Sequence, residues 1–316
     1  MQLVNESVTI VVEWENVMLA GESRAKKMLE IVINQANQQD SCKEIIICAN
    51  TKQSILEEPP IDLRSDILWR YMNFDGQHYY QLKNSGTSYA NGSIIVFVDS
   101  DVIPEAGWLT NILKPFGAAE VQISCGKAYI EQSNIYSKAF ALFWFFPVPA
   151  KTITGDSNTC LPKTTTHFFA NNIAMKRKTA VEYPFPTSVN TSRGACLALA
   201  ENLISTGISL YASDDAIVRH PAPLPGRNFV DRGLAQGRDR YERSKGLSKS
   251  FPGSIIRYTI NNMRGVVKIL LFRGRVSLDM WRIPEAIVIC LAFYTLYLFG
   301  EVGCMLRVKY IREIRV

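Results

Sequence analysis

Residues 94–101 read Ile-Ile-Val-Phe-Val-Asp-Ser-Asp, five apolar residues running straight into two carboxylates. Four of the five are β-branched, the pattern of a strand buried on both faces of a sheet. A strand interior does not tolerate charge, so Asp99 and Asp101 are expected at its exposed carboxyl end, where open α/β sheets bind ligands. Two acids at that place suit a hard divalent cation held against a diphosphate. A solvated strand end that caps the next helix has the same short pattern. The surrounding sequence decides between them.

Along the chain, strand and helix patterns alternate. Val8–Trp14 is a first strand, followed by an amphipathic helix over about 24–37 with Ala25, Met28, Leu29, Ile31 and Val32 on its apolar side. Glu44–Ala49 and Leu68–Asn73 are further strands, and Val121–Ile130 another. Pro104-Glu105 after the acids predicts a helix start. Such alternation implies a mixed, mainly parallel sheet with helices on both faces. With 316 residues and 47% hydrophobic content, the chain can bury one large α/β domain with appendages. Residues 150–167, rich in Thr, Ser, Asn, Lys and Pro, read as a mobile loop beside the sheet's active edge. None of the seven cysteines forms a C-x-x-C pair, so reduced thiols are expected. No basic region with an apolar core opens the chain, so no secretory signal is expected.

Lys83-Asn84-Ser85-Gly86, then Ala90-Asn91-Gly92, then Ile95–Asp101 and Trp108-Leu109 stand in one order at compatible spacing. Phe168–Arg177 follows, and then Leu203, Gly207, Leu210-Tyr211 and Ala216–His220. This succession resembles a family 2 glycosyltransferase of the Rossmann-like GT-A fold over roughly residues 6–240. Members carry an N-x-G-x-x-x-A-x-G helix, a buried strand, a D-x-D-type signature, a later strand near the acceptor, and a closing strand ending in histidine. The resemblance implies transfer of a sugar from a nucleotide-diphosphate donor, with Mg²⁺ or Mn²⁺ neutralising the departing diphosphate. It implies Asp101 as a direct metal ligand and Asp99 as holder of the ribose or of a metal-bound water. His220 is expected to complete the metal site or touch a phosphate. Lys83 is expected at the donor. Glu13 ends the first strand where the family has a Pro-x-Tyr-Asn-like turn, and Asn50 follows the second where an Asp meets the base, so both are expected base contacts. His78 and His167 match no motif and read as surface or packing residues.

One departure from the family concerns the catalytic base. Inverting members present a Glu-Asp pair before the Leu-x-x-x-Gly segment, but alignment on Leu203 and Gly207 puts Ala195 and Cys196 there. Alanine cannot titrate, and a thiolate prefers nucleophilic attack or metal binding. Asp156 in the mobile loop, or the Asp214-Asp215 pair, is left to supply the base. Arg193, beside Gly194 at a helix start, is placed to bind an anionic group of donor or acceptor.

After Pro221-Ala222-Pro223-Leu224-Pro225 the composition changes. Arg227, Arg232, Arg238, Arg240 and Arg243 form either a solvated helix face or a clamp over the diphosphate, with Arg238 or Arg240 as its members. Residues 283–306 form the longest apolar stretch, uncharged only from Ala286 to Gly300, whereas a span takes roughly 20 residues. A tilted span, an interfacial helix and a partner-binding helix all fit. Six basic residues precede the stretch and four follow it, which leans toward a cytoplasmic catalytic domain. The expected organisation is a GT-A domain over 1–240 and a basic, helical, membrane-associated region over 241–316.

Two rivals belong to other classes. A haloacid-dehalogenase-like phosphatase also carries Asp-x-Asp after a strand, but it has Thr or Val four residues beyond the first Asp, where this chain has Ile103. A non-catalytic sugar-nucleotide-binding subunit fits the missing acid pair and conflicts with the intact Asp99 and Asp101. The sequence thus favours a membrane-associated glycosyltransferase with a lipid-linked or saccharide acceptor. Its positive charge gathers after residue 226 and points to a local anionic surface, not to nucleic acid.

Overall fold

The computed structural model describes residues 6–51, 56–148, 163–187, 194–244 and 249–314. In chain order the elements are β1 Val8–Glu13, α1 Val17–Ala20, α2 Glu22–Asn37, β2 Cys42–Ala49, β3 Leu68–Asn73, α3 Tyr79–Tyr89, β4 Ile94–Asp99, β5 Ile103–Pro104, α4 Trp108–Leu113 and β6 Ile123–Ile130. Then follow α5 Ile135–Phe143, β7 Thr164–Thr165, β8 Asn172–Lys176, α6 Arg177–Glu182, α7 Ala195–Ser205, β9 Leu210–His220, α8 Arg227–Arg243, α9 Phe251–Phe272, α10 Ile283–Met305 and α11 Lys309–Glu313. They form two compact units, one from 1–128, 156–187 and 195–220, the other from 129–155, 188–194 and 221–316. The second unit takes up the chain again from residue 221, where α8 packs along α10. Residues 129–155 join the second unit because the rings of α5 pack there against those of α8 and α10.

The first unit is built on a mixed sheet in the order β3-β2-β1-β4-β8-β6-β9-β5, with β7 on β9. Strands β3, β2, β1 and β4 are parallel, whereas β8 opposes both β4 and β6. Every residue of β1 and β4 is buried, as their unbroken apolar runs require. Residues from α3 and α7 close one face over Val11, Ile46, Ile95 and Phe97. Alternate residues Ile10, Val12, Ile45, Ile47, Val96 and Val98 are equally buried, so the opposite face is covered too. Gly92 has to be glycine here: a Cβ would stand 2.5 Å from the main-chain nitrogen of Thr9. Asn172 ties the antiparallel half together, accepting from Trp108 Nε1 at 2.8 Å and donating to the carbonyls of Lys127 and Ala216.

The second unit is helical. Helices α8 and α10 touch through glycines, since a Cβ on Gly237 or Gly300 would collide with the carbonyl of Tyr297 or Leu234. Phe140 meets Phe229 and Phe293 edge to face, and those two meet at a tilt, at centroid distances of 5.2–6.0 Å. Tyr294 donates to the carbonyl of Phe143 at 3.0 Å. Met280–Met305 is long and apolar enough to cross a membrane, the one such stretch among the described residues.

At the amino ends of the parallel strands lies a buried acid, Glu44. Its carboxylate accepts from Thr9 Oγ1 (2.7 Å), Arg70 (2.9 Å) and both the main chain and side chain of Asn91 (2.9 and 2.8 Å). Burial pushes the carboxyl up, but these donors outweigh it and hold the pKa below the ordinary range. A carboxyl depressed in the fold stabilises it above the unfolded value of about 4.3, and that contribution is lost as pH falls through the folded value. Glu44→Gln is therefore expected to lower stability by about 1–3 kcal/mol at pH 7. The gap from wild type in urea midpoints should shrink below pH 4; a gap constant from pH 7 to pH 3 would contradict this assignment.

Candidate active site

The parallel register brings the carboxyl ends of three strands level, pairing Glu13 with Cys48 on one side and with Asp99 on the other. Asp101 follows two residues on. The two acids expected at an exposed strand end are in fact buried, each only 2% exposed. Helix α3 explains the first. Tyr79 and Lys83 are one helical turn apart and therefore share a face. Lys83 Nζ meets Asp99 Oδ1 at 2.5 Å, and the Tyr79 hydroxyl donates to Asp99 Oδ2 at 2.6 Å. The ammonium is fully buried, 4.8 Å from the centre of the Tyr79 ring and 5.9 Å from that of Phe97. Burial pushes the Asp99 carboxyl up; Lys83 pulls it back, while Asp101 adds repulsion. Glu13 is raised well above the ordinary carboxyl range by burial and by Asp99, against the same Lys83.

The turn after β1 wraps around Glu13. Its carboxylate accepts from the main chain of Glu15 and Asn16 and from Asn16 Nδ2 at 3.0 Å, and Asn16 Nδ2 lies 3.4 Å from Asp99. Glu13 is thus a buried support of the turn, and the group at the rim is Glu15. Glu15 accepts from Asn50 Nδ2 at 3.2 Å and from Tyr79 N at 2.6 Å, and its Oε1 lies 2.8 Å from His78 Nδ1. Asn50 and His78 therefore meet on one carboxylate. His78, read from sequence as a surface or packing residue, joins the site because it precedes α3 at its amino end.

Asp101 and His220 meet through an antiparallel pairing, Ile103 opposite Arg219. His220 Nε2 lies 3.4 Å from Asp101 Oδ2, both nearly buried. Arg24 clamps this corner, donating to the carbonyl of Asp101 at 2.6 Å and to that of Arg219 at 3.3 Å. Among the described residues no three His, Cys, Asp or Glu side chains stand together as a preassembled metal cage. The Asp101 carboxylate still fits Mg²⁺ or Mn²⁺, hard cations that take carboxylate ligands and complete their shell with phosphate oxygens and water. Asp99 is engaged by Lys83 and Tyr79.

The remaining expected residues lie elsewhere. Asp215 is exposed on β9, five residues before His220 and so roughly 16 Å from it along the strand. Its neighbour Asp214 pairs with Lys127 at 2.8 Å. Asp156, Arg193 and most of the expected loop lie outside the described residues. Arg238 belongs to the second unit, where its buried guanidinium meets Asp239 Oδ1 at 2.7 and 2.9 Å and the carbonyl of Ile314 at 2.5 Å. Cys196 opens α7 with Sγ 3.3 Å from the Tyr80 hydroxyl, and burial pushes its thiol up.

A search of the curated proteins finds no match to the sequence. Among solved structures, the chain resembles a mannosyltransferase from Pyrobaculum calidifontis, in complex with GDP-Man and Mn²⁺, with a TM-score of 0.56 and 13% identity, covering 96% of this chain and 88% of that one. It also resembles GalNAc-T7 with UDP, GalNAc and Mn²⁺, with a TM-score of 0.55 and 12% identity over 89% of this chain and 56% of that one. At such identities the likeness establishes the GT-A fold. The family model for glycosyl transferase family 2 matches residues 21–183, from the helix that carries Arg24 through Tyr79, Lys83 and both acids to the end of α6, and this chain belongs to that family of glycosyltransferases.

Proposed function

We propose that the enzyme transfers a sugar from a nucleotide-diphosphate donor to a hydroxyl of a lipid-linked or saccharide acceptor, with Mg²⁺ or Mn²⁺ held at Asp101 and His220. The observation that carries this reading is the buried carboxyl group of Asp101 set against His220 Nε2, beside a second acid already neutralised by Lys83. When bound, the cation supplies Lewis-acid neutralisation of the leaving diphosphate. The chain's own groups orient that chemistry. Lys83 and Tyr79 fix Asp99, and Arg24 fixes the main chain at Asp101, so the donor end of the sheet is rigid before substrate arrives. Glu15, held by Asn50 and by Tyr79 N, offers a carboxylate to N–H groups on the edge of a nucleobase. The acceptor proton goes to a carboxylate other than the usual acid pair, since Ala195 and Cys196 occupy that place; Asp156 and Asp215 are the candidates. Arg193 is assigned to an anionic group of either substrate. The basic, apolar C-terminal region supports membrane association, and its flanking charges favour a cytoplasmic catalytic domain.

Asp101→Ala removes one of the two metal donors without leaving a buried charge behind. Calorimetry with Mn²⁺ and a nucleotide diphosphate should show metal-dependent binding lost, transfer should fall by at least about 100-fold, and the urea midpoint should stay near wild type. Undiminished Mn²⁺-dependent binding would sink the assignment.

The Lys83–Asp99 pair yields a second test. Lys83→Met strands a buried carboxylate and should cost about 3–5 kcal/mol in urea unfolding, whereas the combined Lys83→Met/Asp99→Asn chain should recover part of that loss. If the two single losses simply add, the pair is not coupled as described.

A further inference from the structure

We infer that α9 is an in-plane docking element for an anionic lipid surface, seated in one leaflet without crossing it. This rests on the membrane part of the reading above and not on the transfer reaction. A helix of a water-soluble unit buries its apolar stripe and shows a polar face to solvent. Helix α9 does the reverse. Its inward positions are Ser254, Asn262, Gly265 and Ile269. Its outward positions include Ile256, Ile260, Met263, Val267, Leu270 and Leu271, with Met263 63% and Leu271 70% exposed. The first five recur every three or four residues, with Leu271 beside the last, so they make a single stripe about 22 Å long. An apolar stripe of that length on a free surface marks an interaction face.

The charge identifies the occupant. From residue 249 to the end there are eleven Lys and Arg against four Asp and Glu, an excess larger than the +6 of the whole chain. Arg264 is exposed beside the stripe, and Arg273, Arg275 and Arg282 gather at the turn into α10 with the exposed Trp281. Cations flanking an apolar helix face, with an indole at its end, match phosphate headgroups above acyl chains.

Two observations place the element in the plane of one leaflet. A transmembrane α9 would set Arg264 and Lys268 within its length, where charge is strongly disfavoured. Helix α9 runs antiparallel to α10, with Gly265 against Cys290, Tyr258 Oη 3.4 Å from Thr295, and Arg257 paired to the buried Glu301 at 2.5 Å. From Phe293 to Gly300, one side of α10 is packed by α8, whose sequence DRGLAQGRDRYER cannot enter hydrocarbon. Only residues 283–292 of α10 are left, about 15 Å of helix against a core of about 30 Å.

The test uses the full chain and vesicles of phosphatidylcholine alone or with phosphatidylglycerol, read by flotation. Wild type should float with the anionic vesicles, bind less in high salt, and be stripped by alkaline carbonate. The double variant Met263→Asp/Val267→Asp, which alters only exposed side chains, should partition at least about tenfold more weakly while keeping the wild-type urea midpoint and calorimetric binding of nucleotide diphosphate with Mn²⁺. Arg264→Gln/Lys268→Gln should lose the anionic preference, about fivefold for each cation. Flotation of the Asp variant equal to wild type overturns the inference, as does retention of wild type after carbonate, which means a span. Sedimentation as a dimer that the Asp variant breaks, with no vesicle binding, overturns it in favour of a second copy of this chain. Loss of donor binding in wild type would strike the transfer reading and leave this one standing.

Discussion

The carboxyl end of the parallel strands depends on one buried ion pair, the Lys83 ammonium against the Asp99 carboxylate. Burying both charges is unfavourable in itself, and such pairs seldom stabilise a fold more than well-packed apolar groups would. What the pair contributes is position. Lys83 can reach Asp99 only if α3 lies along β1 and β2 in one register, and Gly86 makes that register possible by letting the helix backbone rest on Val11 and Cys48. The same seating delivers Tyr79 to the other oxygen of Asp99 and Tyr79 N to Glu15. A single helix thereby fixes the carboxyl groups of both Asp99 and Glu15.

The sheet supplies the rest by register. Because β1 and β4 are parallel and in step, Glu13 and Asp99 end side by side, and Asp101 follows within one turn of chain. Glu13 and Asp99 then share one ammonium, Lys83, while burial and the neighbouring Asp99 push the Glu13 carboxyl well above the ordinary range. The antiparallel β9 brings a histidine to Asp101. Excess negative charge around a fixed carboxylate–imidazole pair is the electrostatic setting a divalent cation requires.

The parallel strands were legible because unbroken apolar runs leave few alternatives: Leu68–Asn73 matches its expected limits, and β1, β2 and β4 match within one or two residues. The helix expected from Pro104 instead starts at Trp108, after Gly107 takes a φ of 73° and Ile103–Pro104 pairs with β9. That pairing is long-range, and a dipeptide pattern carries no trace of it. The burial of Asp99 escaped sequence reasoning for the same reason, since it depends on a lysine 16 residues away. The i, i+4 spacing of Tyr79 and Lys83 was the available signal. Glu15 and His78 gave none, because both are oriented by a turn and a helix start that only the folded sheet brings together.

The C-terminal helices follow a different rule from the sheet. In β1 and β4 apolar side chains are hidden on both faces, whereas in α9 small and polar groups are hidden and apolar ones face outward. Close glycine contacts, a buried Arg257–Glu301 pair and a tight α8–α10 seam hold the helical unit together without a large apolar interior on α9. Cohesion of that kind leaves apolar surface available for something other than folding.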